Sequence, residues 1–386
     1  MMPGYHYYDD EDLQAVKAVL DRGQLCALGA GTQSELFEQE FAAEFGSPYG
    51  LTVVNAMAGL HVAVGASGAG AGSEVICDPL VVFGALAAMY HNAVPVFADV
   101  DLDTQQMDPA SFEACLTDRT KAVIVTHWCG LMADMDPIIE IAARHGVMVI
   151  EDCSHAIYAR YQGRYAGTIG AAGVFSFQQS KQMALGDGGM TLMQDPAVRT
   201  HMYDMTTFGT CPKLLSWNYR MNEVVAAIGR VQLQRARGYV DICIANAGLL
   251  SEAVRGYEAI VQPQLNPDPA TYEHTYHIWT ARFEGDKVGV DHEAFREACA
   301  DQGLPINFGY IGAPAYKQDT IRDQIAYGRD CPRGCPLALR HPDYTQDLCP
   351  NAEYLMPRIM LSGTGGDRAT YVEMAEKLRA VLESLA

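Results

Sequence analysis

Val147-Met148-Val149-Ile150-Glu151-Asp152-Cys153-Ser154-His155 reads as a strand that runs directly into a polar turn. A short apolar run without alternation is the pattern of a strand buried on both faces, as in parallel sheets covered by helices. Open sheets of that kind place ligands outside the carboxyl ends of their strands, so Asp152 stands at a candidate site. An isolated Asp there would as readily cap the following turn.

Working outward, the same rhythm recurs. Candidate strands are Leu51 to Val54, Glu74 to Cys77, Pro95 to Asp99, Ala122 to Thr126, Val147 to Glu151, Gly173 to Phe177 and Met190 to Met193. Helical periodicity fills Ala56 to Ala66, Pro109 to Cys115 and Met135 to His145. Strands alternating with helices predict an α/β fold with a seven-stranded, mostly parallel sheet. Upstream, Phe37, Phe41 and Phe45 recur every four residues before Gly46, an amphipathic helix with a stop signal. A second amphipathic run, Asn222 to Arg237, closes the large unit, and a linker is expected near residues 245 to 260. Gln262 to Pro269 and Tyr327 to Asp343 read as loops. The expected division is 1–250 for a large α/β domain and 251–386 for a smaller α+β domain.

Composition narrows the partners. The 386 residues carry 47 acidic against 27 basic side chains, a formal charge of −20, which repels phosphate backbones and anionic lipid surfaces. Neither nucleic acid nor membrane is an expected partner. The most apolar stretch, Leu80 to Met89, is far too short to span a bilayer. The first residues lack the basic-then-apolar pattern of a signal peptide. Eleven scattered cysteines fit reduced thiols, so a cytoplasmic protein is expected. Cys331 and Cys335 form the one tight pair, and a metal there would need further ligands that the neighbouring sequence does not offer.

A second strand, Gly173-Val-Phe-Ser-Phe177, leads into Gln178-Gln179-Ser180-Lys181 and the turn Gly186-Asp187-Gly188-Gly189. A lysine between a strand end and a loop can form a Schiff base, and Ser176 can hold a phosphate. Asn55-Ala56-Met57-Ala58-Gly59 turns a strand into a helix whose free N–H groups suit a dianion, although small residues there also serve packing. Lysine, carboxylate and phosphate donors are the set that pyridoxal 5'-phosphate (PLP) requires.

The ordered motifs resemble the DegT/DnrJ/StrS sugar aminotransferases, fold-type-I PLP enzymes. The resemblance runs from about Phe37 to Leu378 and rests on Asn55-Ala-Met-Ala-Gly-Leu60, Asn92-Ala-Val-Pro-Val-Phe97, Thr126-His-Trp-Cys-Gly130 and Glu151-Asp-Cys-Ser-His-Ala156. Gly167-Thr-Ile-Gly170, Phe175-Ser-Phe-Gln-Gln-Ser-Lys181, Gly186-Asp-Gly-Gly189 and Asn218-Tyr-Arg-Met221 complete it. The resemblance implies Lys181 as the cofactor lysine and Asp152 as partner of the pyridinium nitrogen. It gives the phosphate to Ser176 and the backbone of Met57 and Ala58. Asn218 would reach the phosphate of a neighbouring subunit, which makes a homodimer with shared sites the functional unit.

Three positions depart from the family. His155 stands where Gln often lies near the cofactor 3-hydroxyl, and its N–H could donate the same bond, or it could be a satisfied core histidine. Met57 replaces a Thr and removes one hydroxyl from the phosphate cup. Val81 stands where an aromatic stacks on the ring, unless Phe83 takes that place by a shift of register. The resemblance implies amino transfer from glutamate or glutamine to a keto-sugar or keto-cyclitol in secondary metabolism of the aminoglycoside type. The motifs look nearest the branch acting on inososes. One alternative is a sugar dehydratase of the same fold, in which histidine replaces the lysine, and Lys181 argues against it. The other is a regulatory or scaffold homologue, suggested by Met57 and Val81.

Overall fold

A sheet buried on both faces must be joined by helices that cross over it, and the chain follows that rule in order. The computed structural model describes residues 6–264, 266, 268–324, 327, 328 and 330–385. Its first unit contains β1 (Tyr49–Val53), β2 (Glu74–Cys77), β3 (Val94–Phe97), β4 (Thr120–Thr126) and β5 (Met148–Asp152). A small hairpin follows, β6 (Arg160–Tyr161) and β7 (Arg164–Tyr165), and then β8 (Ala172–Ser176) and β9 (Gly189–Met193). The helices are α1 (Asp10–Arg22), α2 (Gln33–Phe45), α3 (Ala56–Ala66), α4 (Phe83–Tyr90), α5 (Pro109–Cys115), α6 (Met135–His145), α7 (Pro196–Thr206) and α8 (Glu223–Ala253).

Seven strands form one sheet in the order β1-β9-β8-β5-β4-β2-β3. All neighbours from β8 to β3 are parallel, whereas β9 runs antiparallel to both β1 and β8. The α/β, seven-stranded, mostly parallel sheet expected from the sequence is therefore present. Helices expected at Ala56–Ala66, Pro109–Cys115 and Met135–His145 occupy those residues, and every strand end agrees within two residues.

Packing explains the arrangement. Phe37, Phe41 and Phe45 of α2 are buried, and the Phe41 ring meets Phe175 and Phe177 at 5.2 and 5.7 Å, which pins the strand leading to Lys181. Gly59 lets α3 settle on β8, because a Cβ there would lie 2.7 Å from Val174 Cγ1. Asn55 starts α3, its Oδ1 accepting the Ala58 N–H at 2.9 Å.

One expectation fails in α8. The linker expected near residues 245 to 260 is helical up to Ala253. Cys243, Asn246, Ala247 and Leu250 are buried, and the Asn246 amide donates to Thr364 O at 2.9 Å. This stripe is built of small and polar residues, which conceals its periodicity.

After α8 come β10 (Ile260–Val261), β11 (Ile278–Phe283), β12 (Asn307–Phe308) and β13 (Ile359–Gly363), an antiparallel sheet ordered β10-β11-β13-β12. The C-terminal helix Arg368–Leu385 shares a core with this sheet through Tyr371, Met374 and Leu378. Between β12 and β13 the chain returns to the large sheet, where Tyr316, Tyr344 and Leu355 join the core of β2 and β4. Within the two expected loops, residues 265, 267 and 329 lie outside the described set. Among the described residues no helix is long and apolar enough to cross a membrane.

Candidate active site

Parallel register brings the chemistry to one edge. Thr126 pairs with Asp152, Asp152 with Val174, and Ser176 with Gly189, which in turn pairs with Val53 just ahead of Asn55. The ends of β4, β5, β8 and β1 and the start of β9 thus meet, with the first turn of α3 beside them. Gly189 makes this possible: a Cβ would stand 2.8 Å from Asn55 C and 2.9 Å from Phe175 O.

Lys181 sits in the loop that joins β8 to β9. Its N–H donates to Gln178 O at 2.8 Å, and Leu185 N–H to Phe177 O at 2.8 Å, so the loop folds back tightly. Beneath it, Tyr8 OH donates to Ala184 O at 2.8 Å, and the His6 Nε2 lies 3.0 Å from Gln182 O. Burial lowers the Lys181 ammonium to about 8, against the opposing pull of Asp152 and Cys129. Lys181 and Asp152 attract one another, and no ion pair among the described residues joins them.

Asp152 and its neighbour Glu151 are both buried and differently served. Asp152 Oδ1 accepts one hydrogen bond, from Ser154 N–H at 3.1 Å. Glu151 Oε2 accepts from Gly167 N–H at 2.9 Å and lies 2.9 Å from His127 Nε2, while Oε1 accepts from Ile169 and Gly170 at 2.8 and 2.6 Å. Burial pushes Glu151 up, and His127 with the amides of Gly170 and Gly167 more than reverses it. His127, Glu151 and Cys153 have their ligand atoms within 4.8 Å of one another. They make no metal site, because the Ala133 amide donates to His127 Nδ1 at 3.3 Å and both Glu151 oxygens are saturated.

His155 is buried, and its Nδ1 accepts the Cys129 N–H at 3.4 Å, so the ring proton belongs on Nε2, free to donate. Its pKa falls well below the usual value through burial and the nearby Lys181 and His277 charges, which keeps it neutral. The His277 ring lies 4.6 Å away, and the ring of Tyr310 closes over His155 and Trp128 at 6.4 and 5.7 Å.

Other expected residues are placed less simply. Ser176 is half-buried, its Oγ accepting Gln178 N–H at 3.4 Å. Met57 lies in the first turn of α3, where the Ala58 amide is already engaged by Asn55. Val81 is 2% exposed and packs into the apolar core, whereas Phe83, at the start of α4, is 44% exposed. Asn218 is exposed, in an isolated bridge with Thr207, and its side chain makes no hydrogen bond among the described residues.

Sequence reasoning passed over His127, Cys129, His277, Tyr310 and Asp78, a buried carboxylate just past β2. Parallel register places Asp78, His127 and Cys129, the return of the chain after β12 places Tyr310, and the approach to β11 places His277 against His155. The buried carboxylate, the lysine of lowered basicity, the helix start and the nearby hydroxyl fit PLP as a donor set.

Comparison with known proteins agrees with this geometry. A profile of the DegT/DnrJ/EryC1/StrS aminotransferase family matches residues 6–340. The chain is 36% identical over 322 residues to the L-glutamine:2-deoxy-scyllo-inosose aminotransferase of Micromonospora echinospora, covering 77% of this chain and 76% of that one. It is 32% identical over 330 residues to the spore coat polysaccharide biosynthesis protein SpsC of Bacillus subtilis, covering 80% and 83%. The solved aminotransferase of Psychrobacter cryohalolentis superposes with a TM-score of 0.86 at 26% identity over the full length of both chains. This chain belongs to the DegT/DnrJ/EryC1/StrS aminotransferase family.

Proposed function

We propose that this PLP-dependent aminotransferase moves an amino group from glutamine or glutamate to the ketone of a polyhydroxylated ring, a keto-cyclitol or keto-sugar. The observation that carries the reading is Lys181 at the carboxyl edge of the sheet, its ammonium lowered to about 8 by burial and within the field of Asp152. The named Micromonospora relative supports the cyclitol class and glutamine as donor.

PLP, when bound, supplies the electron sink that receives the pair released as a proton leaves the substrate carbon. Asp152 holds the proton on the ring nitrogen. Burial weakens the Lys181 ammonium to about 8, which makes its neutral amine accessible near neutral pH as the base that would take the proton from the substrate carbon. His155, neutral and with Nε2–H free, orients the ring through its 3-hydroxyl. Ser176 and the Met57 amide hold the phosphate, with the Ala58 amide shared between Asn55 and that anion. Val81 supplies an aliphatic surface in place of a stacking aromatic.

The functional unit is a homodimer in which Asn218 of one subunit reaches the phosphate of the other. Its exposed, unengaged side chain supports this. Refolding Lys181→Ala together with Asn218→Ala should restore activity in confirmed heterodimers, since one composite site then holds both native residues. Heterodimers no more active than their parents would place Asn218 within its own site. The scattered cysteines of the sequence support a reducing, cytoplasmic setting.

The deciding test incubates the PLP-loaded protein with glutamine or glutamate and a panel of keto-cyclitols and keto-sugars, reading the amine product by mass. An amine formed on a cyclitol supports the reading. A protein that binds PLP and aminates none of the panel overturns the substrate class.

A further inference from the structure

Asp78 is a buried charge without an evident purpose. It follows directly on β2 and is 3% exposed. Cys77 pairs with Ile124 and Thr126 with Asp152, so Asp78, Thr126 and Asp152 occupy the carboxyl ends of three adjacent strands, with Thr126 in the middle. Asp78 Oδ1 accepts the Leu80 N–H at 3.0 Å. Its Oδ2 is fully buried with no donor at full hydrogen-bond geometry among the described residues, and the buried Thr126 hydroxyl bears on the carboxylate without meeting that geometry.

A buried carboxylate short of partners is costly, and the cost is ordinarily removed by a cation or a full set of donors. Glu151 has the full set. Asp78 has no ion pair among the described residues, and one of its oxygens lacks a donor at full hydrogen-bond geometry. The groups that face it offer no cation. Asp152 bears on it from β5, while the neutral Tyr310 hydroxyl, the Cys77 thiol of its own strand and the Cys349 thiol of the returning segment lie within its field. Both thiols are pushed up by burial and stay neutral. Burial likewise raises Asp78 to about 6, with Thr126 and the Leu80 and Val81 amides opposing and Asp152 adding to the rise. It therefore carries its charge at neutral pH. Burial raises the Tyr310 hydroxyl, and Cys129, Asp152 and Asp78 raise it further, so both carboxylates lie close enough to act on this one residue.

We propose that Asp78 is a positioning residue of the active site, a second carboxylate that reinforces from β2 the negative field Asp152 presents to the cofactor's ring nitrogen. The cation missing from the chain is then the pyridinium itself, and Thr126 between the two strands spaces the carboxylates. This rests on the reading of the chain as a PLP enzyme. The competing explanation is that Asp78 only forms the turn into α4 through the Leu80 amide. An asparagine forms that turn equally well, so charge and turn are separable.

The test uses Asp78→Asn, with Asp78→Ser as a second neutral turn former should the first fail to fold. Apo-protein is titrated with PLP, and the pH midpoint of the cofactor's visible band is measured in the loaded protein. Removing the charge is expected to weaken PLP binding by roughly three- to thirtyfold, as for a unit charge acting over several ångströms of protein. It should also move the midpoint down by about half a unit or more, since protonated forms lose a negative neighbour. A ring analogue of PLP with carbon in place of the nitrogen should bind wild type and variant alike. If a folded neutral variant keeps PLP affinity within twofold with an unmoved midpoint, or the difference persists with the carbon analogue, Asp78 is a turn residue and the proposal fails alone. If the wild type binds no PLP, the functional reading falls and this proposal with it.

Discussion

Glu151 and Asp152 are neighbours in one strand and differ in everything that surrounds them. Glu151 points to the side where His127 and three amides of the loop 167–170 saturate it. Asp152 points to the open edge and receives one N–H. A structural acid is finished within its own chain, whereas an acid left short of donors is waiting for something the chain does not contain. By that criterion Asp152 and Asp78 stand together, and Glu151 belongs with the scaffold.

Lys181 is the largest test of the open side. Lys181→Ala is expected to abolish turnover by at least about a thousandfold, because a covalent partner cannot be replaced by packing. Unfolding should remain cooperative in the calorimeter. Measurable transamination by the purified variant would remove Lys181 from the chemistry.

Next come two isosteric exchanges one residue apart. Asp152→Asn should slow the half-reaction about a hundredfold or more and leave the melting temperature nearly unchanged. Glu151→Gln should do the reverse: an amide cannot accept from four donors, and about 2–4 kcal/mol of stability is lost while the PLP-loaded fraction turns over within a few-fold of normal. Denaturant titration and single-turnover absorbance separate the two. Equal effects of both substitutions on both measurements would erase the contrast.

How much of this was legible in the sequence depends on whether a feature is local. The strand and helix order followed from apolar runs and helical periodicity, which act within a few positions. Lys181, Asp152 and Ser176 were visible because each sits at the end of a recognisable strand. The Glu151 network was not, since His127 lies just past β4 and reaches it from the neighbouring strand. Asp78 was hidden for the same reason, as one acidic letter after β2 whose meaning depends on Thr126 and Asp152 in register. The far half of α8 was missed because its buried face uses Cys243, Asn246 and Ala247, which carry little hydrophobic contrast.

A smaller effect follows from the Lys181 ammonium being lowered from 10.5 to about 8 by burial. In the cofactor-free protein its charge opposes folding, fully so below about pH 8. Between about 8 and 10.5 the unfolded chain binds more protons at this site than the folded one, so stability contributed here rises with pH. Lys181→Met is therefore expected to be more stable than wild type by about 1–3 kcal/mol at pH 7, with the gap closing toward pH 10. Urea titrations at the two pH values measure it, and a gap independent of pH would show that the lysine is not buried as a cation.

The smallest concerns the start of α3. Asn55→Ala removes the bond to the Ala58 amide and should cost about 1 kcal/mol of stability by urea titration. No loss would mean that the first turn is held by its contact with Gly189 alone, and that the Ala58 amide is as open as Asp152.

The antiparallel course of β9 has a consequence for descent. β8 and β9 form a hairpin around Lys181, with Ser176 opposite Gly189, Phe175 opposite Met190 and Val174 opposite Thr191. Pairing has a period of two, so sliding one strand by a single residue turns its buried face outward. A codon gained or lost between Ser176 and Gly189 would either force that slide or lengthen the tether that sets the reach of the lysine. The lineage can rewrite letters in this segment, but its length is inherited as a unit with the sheet.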